Sequence, residues 1–284
     1  MDVYTMVAQR IIDELERGVV PWHKPWSSGS GAISHTTGRP YSLLNQILLG
    51  GCSGEYLTFR QAQKEGGHVR KGERSSVVVF FRFIDAVDED TGEIRSVPYL
   101  KYIPVFHTEQ CEGIAPRFIA SQPVVLNPAV AHEQAEQIIS GYVSRSGVKL
   151  LRRQSSEAFY RPSTDEVVLP LRSQFSESSE YYSTAFHELT HSTGHASRLN
   201  RLTEKAHFGS NAYSREELCA ELGASYLINR IGLETPGSFR NNAAYIAHWL
   251  GVLKEDKRFL VSAAGKADKA VRLILGEEAI SDAP

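Results

Sequence analysis

His187-Glu188-Leu189-Thr190-His191 constrains this chain more than any other five residues in it. Histidines four apart fall on one face of an α-helix, one turn apart. Two neutral imidazole nitrogens at that separation can close on one Zn²⁺ at about 2.0–2.1 Å. Glu188 then stands beside the metal, where its carboxylate can take a proton from water and later return it. The flanks agree with a helix: Tyr181, Tyr182, Ala185, Phe186 and Leu189 recur at helical spacing, and Gly194 is a stop signal. The plainer alternative is a helix with two surface histidines.

The 284 residues leave room for two ordinary domains, each with a core of its own. An apolar content of 42% describes a globular chain. No apolar run approaches the length of a membrane span. Met1-Asp2-Val3 is not followed by the basic and apolar stretches of a signal peptide. Cys52, Cys111 and Cys219 are far apart and odd in number, which fits buried thiols in a reducing cytoplasm better than a disulfide framework. A net charge of -2 gives no global drive toward nucleic acid, but the distribution is uneven. Arg60, Lys64, Arg70, Lys71, Arg74 and Arg82 face only Glu65 and Glu73 over the same stretch.

Read in order, the chain starts with a helix capped by Asp2, with Val3, Val7, Ile11 and Leu15 on one stripe and Gly18 ending it. In Pro21-Trp22-His23-Lys24-Pro25-Trp26 the prolines forbid a helix and hold two tryptophans in extended chain. Trp22 and Trp26 read either as base-stacking platforms with Lys24 as a phosphate partner, or as plugs of a small core. A short helix is expected over 42–49, and a capping box at Thr58–Gln61 starts another over 59–65. The basic turn His68 to Arg74 precedes a strand over 77–83, and Asp88 to Gly92 returns the chain into a strand over 97–106. Pro116, Pro123 and Pro128 mark a boundary, giving expected domains 1–120 and 128–284. Beyond it come a helix over 129–143, strands at 148–151, 158–160 and 167–169, the His187 helix, a helix over 215–229, another through Tyr245, Trp249 and Leu253, and a last one over 266–275. The order is α+β. The strand at Val167-Val168-Leu169 is expected to lie along the cleft, where an extended substrate could pair with it.

A hydrolytic zinc needs a third protein ligand and an open position. His195 is nearest, but it follows the helix end at Gly194, and the position six after His191 is Ser197, not histidine. His207 lies in the following loop. Glu217 and Glu221 share a helix face, so the first can bind metal while the second supports His187 or His191 through the other ring nitrogen. A capping box of Ser214 with Glu217 is the competing reading. His207 and Tyr213 are candidate donors to a developing oxyanion. Zn²⁺ is the expected ion, with Mn²⁺ or another divalent ion open to the same donors.

These residues carry a family resemblance. His187-Glu-Leu-Thr-His191 with Glu217-Leu-Cys-Ala220-Glu221 resembles the gluzincin pattern H-E-x-x-H…E-x-x-A-[DE]. The stretch Tyr181 to His195 with Arg198-Leu-Asn-Arg201 is similar to the polyvalent-protein metallopeptidase domain. Upstream, Trp22-x-Lys-Pro-Trp26, Gly38-Arg-Pro-Tyr41-x-x-x-Asn45 and Tyr56 to Ala62 with Gly66 to Glu73 resemble the N-terminal domain of the ArdC antirestriction family. That resemblance implies a protein of a mobile element such as a plasmid, which binds single-stranded DNA through its first domain and protects incoming DNA from restriction. By position it implies DNA contacts at Trp22, Trp26, Tyr41, Asn45, Arg70 and Lys71. The chain departs from the family at Leu43, often Gly, and at Tyr56, often Trp. A protein substrate, unidentified, is implied by the second domain. The rival expectation is a DNA-binding shield whose metallopeptidase fold is structural or only weakly proteolytic.

Overall fold

The computed structural model describes residues 2–23, 31–87, 94–118, 128–202, 211–233 and 243–277. Its N-terminal segment contains α1 (Val3–Glu16), β1 (Ala32–Ser34), α2 (Leu43–Leu48), β2 (Gly54–Leu57), α3 (Phe59–Lys64), β3 (His68–Val69), β4 (Ser76–Val87), β5 (Ile94–His107) and β6 (Cys111–Glu112). The Asp2 side chain caps α1 by accepting from the Thr5 amide at 3.0 Å, and Thr58 and Gln61 complete a capping box on α3. The four-stranded sheet runs β1-β2-β5-β4, with β1 parallel to β2 and the other neighbours antiparallel. The small pair β3–β6 stands apart and roots the basic turn.

Helix α2 closes both edges of that sheet. The Asn45 side chain donates to the Val79 carbonyl at 2.8 Å and accepts from the Val79 amide at 2.7 Å. Gln46 does the same to Ala32 on the opposite edge strand, at 2.8 Å each way. Each side-chain amide thus substitutes for the next strand of a ladder. This corrects the expectation of Asn45 as a DNA contact: it is buried and its amide is spent on β4.

The second segment contains α4 (Pro128–Ser146), β7 (Lys149–Arg152), β8 (Phe159–Arg161), β9 (Glu166–Leu169), α5 (Ser178–Ser192), α6 (Asn211–Arg230), α7 (Ala243–Glu255) and α8 (Phe259–Leu275). Its sheet runs β7-β9-β8, β9 pairing parallel with β7 and antiparallel with β8. Flanked on both sides, β9 cannot take an extended substrate at Val167–Leu169 as the sequence led us to expect; the edges are β7 and β8. Helix α6 starts at Asn211, so Ser214 lies inside it, buried, and does not cap it. Helix α8 starts at Phe259, well before the expected 266. Burial of Phe259, Leu260 and Val261 offsets the roughly 1 kcal/mol cost of Gly265 inside a helix.

One hydrophobic cluster joins the segments. Ile11, Leu15, Trp22, Leu43 and Val79 pack with Leu218, Leu222, Trp249, Leu253, Leu260 and Ala264. Trp22 is 0% exposed, its ring edge-on to Trp249 at 6.4 Å, so it offers no face to a base and is corrected from stacking platform to core. A second cluster sets α5 among α4, β9, α6 and α8 through Ile139, Tyr142, Val167, Tyr182, Phe186, Leu189, Leu227 and Ile274. The architecture is α+β, and α6 serves both clusters. Cys111 and Cys219 are buried thiols, whereas Cys52 is exposed. Among the described residues no helix is long and apolar enough to cross a membrane.

Candidate metal centre

Helix α5 buries one face under β9 and turns His187 and His191 toward α6. Their Nε2 atoms stand 3.1 Å apart. Glu217, on α6, brings one carboxylate oxygen to 3.7 Å from His187 Nε2 and the other to 3.5 Å from His191 Nε2. Donors about 2.0–2.1 Å from one tetrahedral ion are roughly 3.3 Å from each other. The separations, two of them to different oxygens of Glu217, lie around that value, and one donor atom from each residue falls within 4.8 Å of the others, so two imidazoles and a carboxylate can hold one divalent cation. The field agrees. Burial works against a charged His187, yet Glu217, Glu188 and Glu221 outweigh it and shift the imidazole upward. Glu188, between the two histidines in sequence, is 8% exposed.

The close approach of α6 to α5 depends on Gly223. A Cβ there would lie 2.8 Å from both Cγ2 and Oγ1 of Thr190, which is buried on α5. Gly223→Ala is therefore expected to push the helices apart, costing about 1–3 kcal/mol and weakening metal uptake. Thr190→Ala in the same chain should recover most of the loss, read by denaturant unfolding as a double-mutant cycle.

The free nitrogen of His191 is held by a residue to which the sequence reading gave no role. Glu216 Oε1 lies 3.2 Å from His191 Nδ1. Arg201 grips the same carboxylate twice, at 2.8 and 3.1 Å, and donates to the Thr190 carbonyl at 2.8 Å and the Thr193 hydroxyl at 2.6 Å. Burial works to raise the Glu216 carboxyl, but the bonds from His191 and Arg201 outweigh it and hold it below the ordinary carboxylate range. An anion on Nδ1 orients the ring and leaves Nε2 for the metal. Glu221, expected in that supporting role, stands one turn beyond Glu217, where it biases His187 electrostatically. Adjacent helical residues diverge by about 100°, which lets Glu216 and Glu217 address opposite sides of the site. The signal in the sequence was Arg201, a cation with no stated task.

The turn after α5 places that cation. Gly194 is required there, because a Cβ would meet Leu202 at 2.8 Å and the Arg201 guanidinium at 3.2 Å. Arg198 fastens the same turn, donating to the Ser192 carbonyl at 2.8 Å and pairing with Asp165. His195 is tied to Ser197 at 2.8 Å and takes no part in the cluster. His207 lies outside the described residues. Tyr213 is in the first turn of α6, its side chain outside the described set.

In the N-terminal segment, Lys24 and Trp26 lie outside the described residues. Arg70 and Lys71 are exposed on the basic turn, Arg70 paired with Glu73 at 2.8 Å. Tyr41 is partly buried, its ring edge-on to Tyr56 at 6.4 Å. The exposed aromatics among the described residues are others: Phe59, Phe118, Tyr99 and Tyr102 are 47%, 53%, 40% and 51% exposed. The last two sit on β5 beside exposed Lys101.

A two-helix His-Glu-x-x-His…Glu centre over a small mixed sheet defines a zincin-like metallopeptidase fold, here behind an N-terminal module with its own sheet. Residues 133–266 match the sequence family described as zincin-like metallopeptidase, and residues 1–106 match the N-terminal domain of anti-restriction factor ArdC. The antirestriction ArdC protein from plasmid R388 has the same fold. Its metal-free structure gives a TM-score of 0.74 at 34% identity, covering 96% of this chain and 97% of that one. Its Mn(II)-bound structure gives 0.75 at 32% identity, covering 97% and 98%. The chain belongs to the ArdC antirestriction family. Uncharacterized protein y4eC of Sinorhizobium fredii is 32% identical over 94% of this chain and 90% of its own length. Two DNA primases TraC of Escherichia coli are 35% and 34% identical over 97% of this chain, which spans only 20% and 27% of their length.

Proposed function

We propose that this protein binds single-stranded DNA through its N-terminal segment, nominally 1–120, and hydrolyses peptide bonds at the His187–His191–Glu217 centre of 128–284, protecting the DNA of a mobile element in the host cytoplasm. The carrying observation is the convergence of His187, His191 and Glu217, three side chains able to hold a metal ion, with Glu188 close enough to bias His187, in a chain of this family. His187, His191 and Glu217 would hold the ion, Zn²⁺ or Mn²⁺. When bound, it supplies Lewis acidity for a scissile carbonyl. Glu188 takes a proton from attacking water and delivers it to the leaving amine. Glu216 and Arg201 keep His191 oriented. The protein substrate is an unidentified polypeptide.

For the single strand, Arg70 and Lys71 supply phosphate contacts, and the exposed Tyr99 and Tyr102 replace Trp22 as stacking candidates. Arg70→Glu/Lys71→Glu is expected to weaken oligonucleotide binding and flatten its salt dependence, seen as a shallower slope of log affinity against log salt. An unchanged slope removes the basic turn from the interface. The same variant, compared with Glu188→Gln in protection of incoming DNA against restriction, tests the whole reading. Both are expected to lose protection. Loss in the charge-reversed variant alone would leave a DNA-coating shield with no need of hydrolysis.

A further inference from the structure

A cleft of about 240 Å³ opens where the N-terminal segment meets α6 and α8, away from the metal centre. Tyr41 and Leu43 line it from one segment, and Tyr226, Arg230, Asp268 and Arg272 from the other. Its size is below the roughly 300–1,000 Å³ of sites for drug-sized ligands and suits a single ring system. Its charges cancel in pairs. Arg272 Nε meets Asp268 at 2.8 Å, and Arg230 meets Glu277, also at the cleft, at 2.6 Å. Asp268 further accepts from the Leu43 amide at 3.1 Å, which fixes α8 to the first turn of α2 across the junction.

Two tyrosines among the lining residues favour a flat, aromatic ligand, and a phosphate would meet as many carboxylates as guanidiniums. A neutral, flat heterocycle with donors and acceptors along one edge satisfies both conditions. Unstacked bases are bound in this way, held between aromatic or guanidinium planes and read along their edges. We propose that this cleft receives one unstacked nucleobase of a bound single strand, with Tyr41 and Tyr226 against its faces and Arg230 and Arg272 toward its edge. The inference rests on the single-strand reading above. It differs from the basic turn and the β5 aromatics in joining the DNA to α6, the helix that carries Glu216 and Glu217.

The test uses the full chain, a short single-stranded oligonucleotide followed by fluorescence anisotropy, and deoxyadenosine, which has a base but no phosphate, followed by saturation-transfer NMR. Tyr226→Leu and Arg230→Gln keep most of the packing volume, and a thermal melt confirms that each is folded. Saturation transfer to deoxyadenosine in the unaltered protein is expected, with loss in both variants and an oligonucleotide affinity reduced about 10-fold. An oligonucleotide that binds unaltered and variant proteins equally, without saturation transfer to deoxyadenosine, overturns the cleft and leaves single-strand binding intact. No oligonucleotide binding by the unaltered protein overturns both. If neither variant folds, the nucleoside signal in the unaltered protein, displaced by the oligonucleotide, decides the matter.

Discussion

Glu188→Gln is expected to leave the metal in place and to lower any proteolysis by about 10²–10⁴-fold. The glutamine keeps the shape of the side chain, and the residue is only 8% exposed, so the fold should tolerate an isosteric change. It cannot accept a proton at neutral pH. His187, His191 and Glu217 are unchanged and retain their mutual distances. Metal content by elemental analysis and cleavage of a denatured general protein substrate give the two readings. Retained metal with undiminished cleavage would remove Glu188 from the chemistry. The complementary change, Glu217→Ala, should lose both metal and cleavage, because two histidines 3.1 Å apart are a weak site without the carboxylate.

The second large effect is expected at Arg201, which touches none of the three ligands. Its side chain is 6% exposed and its partner Glu216 is 14% exposed. Removing one member of a buried pair strands the other charge, at a cost of about 3–5 kcal/mol. Arg201→Ala should therefore destabilise the protein by that amount in urea or guanidinium unfolding. It should also weaken metal affinity about 10–100-fold by freeing Glu216 to turn from His191. Glu216→Gln in the same chain removes the stranded charge and should restore much of the stability but not the affinity. Additive losses in stability would show that Arg201 and Glu216 act independently and would refute an action of Arg201 on His191 through Glu216.

What could be read from the sequence divides along physical lines. Short-range chemistry was legible: the Asp2 cap, the Thr58–Gln61 capping box, and the helix that aligns His187 with His191 each depend on residues a few positions apart. Glu217 could be ranked first as third ligand because its partner pattern is also local to one helix. The start of α6 was not legible, because the capping-box pattern of Ser214 with Glu217 falls inside the helix and does not mark its first turn. Glu216 was missed because its role is set by the Arg201 turn and the close approach at Gly223, neither of which shows in local spacing. Trp22 and Asn45 show the same limit in the other segment. A polar or aromatic residue in a proline-rich or helical stretch reads as available until the chain that covers it is placed. For Trp22 that chain is α7, and for Asn45 it is β4.

The cluster shared by α1, Trp22 and α2 with α6, α7 and α8 has a consequence for how the protein comes into being. During synthesis the apolar stripe of α1 emerges first and its partners last; the Leu43–Asp268 bond alone spans 225 residues. Contacts so remote in sequence slow folding, since the intervening loop must close before they contribute. Among the described residues, the clusters that the N-terminal segment forms by itself are small, around Tyr56 and Val78 and around Leu57 and Ala62. A nascent chain stopped before α6 therefore presents Ile11, Leu15 and Trp22 to solvent, a surface for chaperones or aggregation. The N-terminal segment, proposed above to hold DNA, is therefore expected to mature only once the segment with the metal centre has been made, so that the two proposed capacities would reach the cell together.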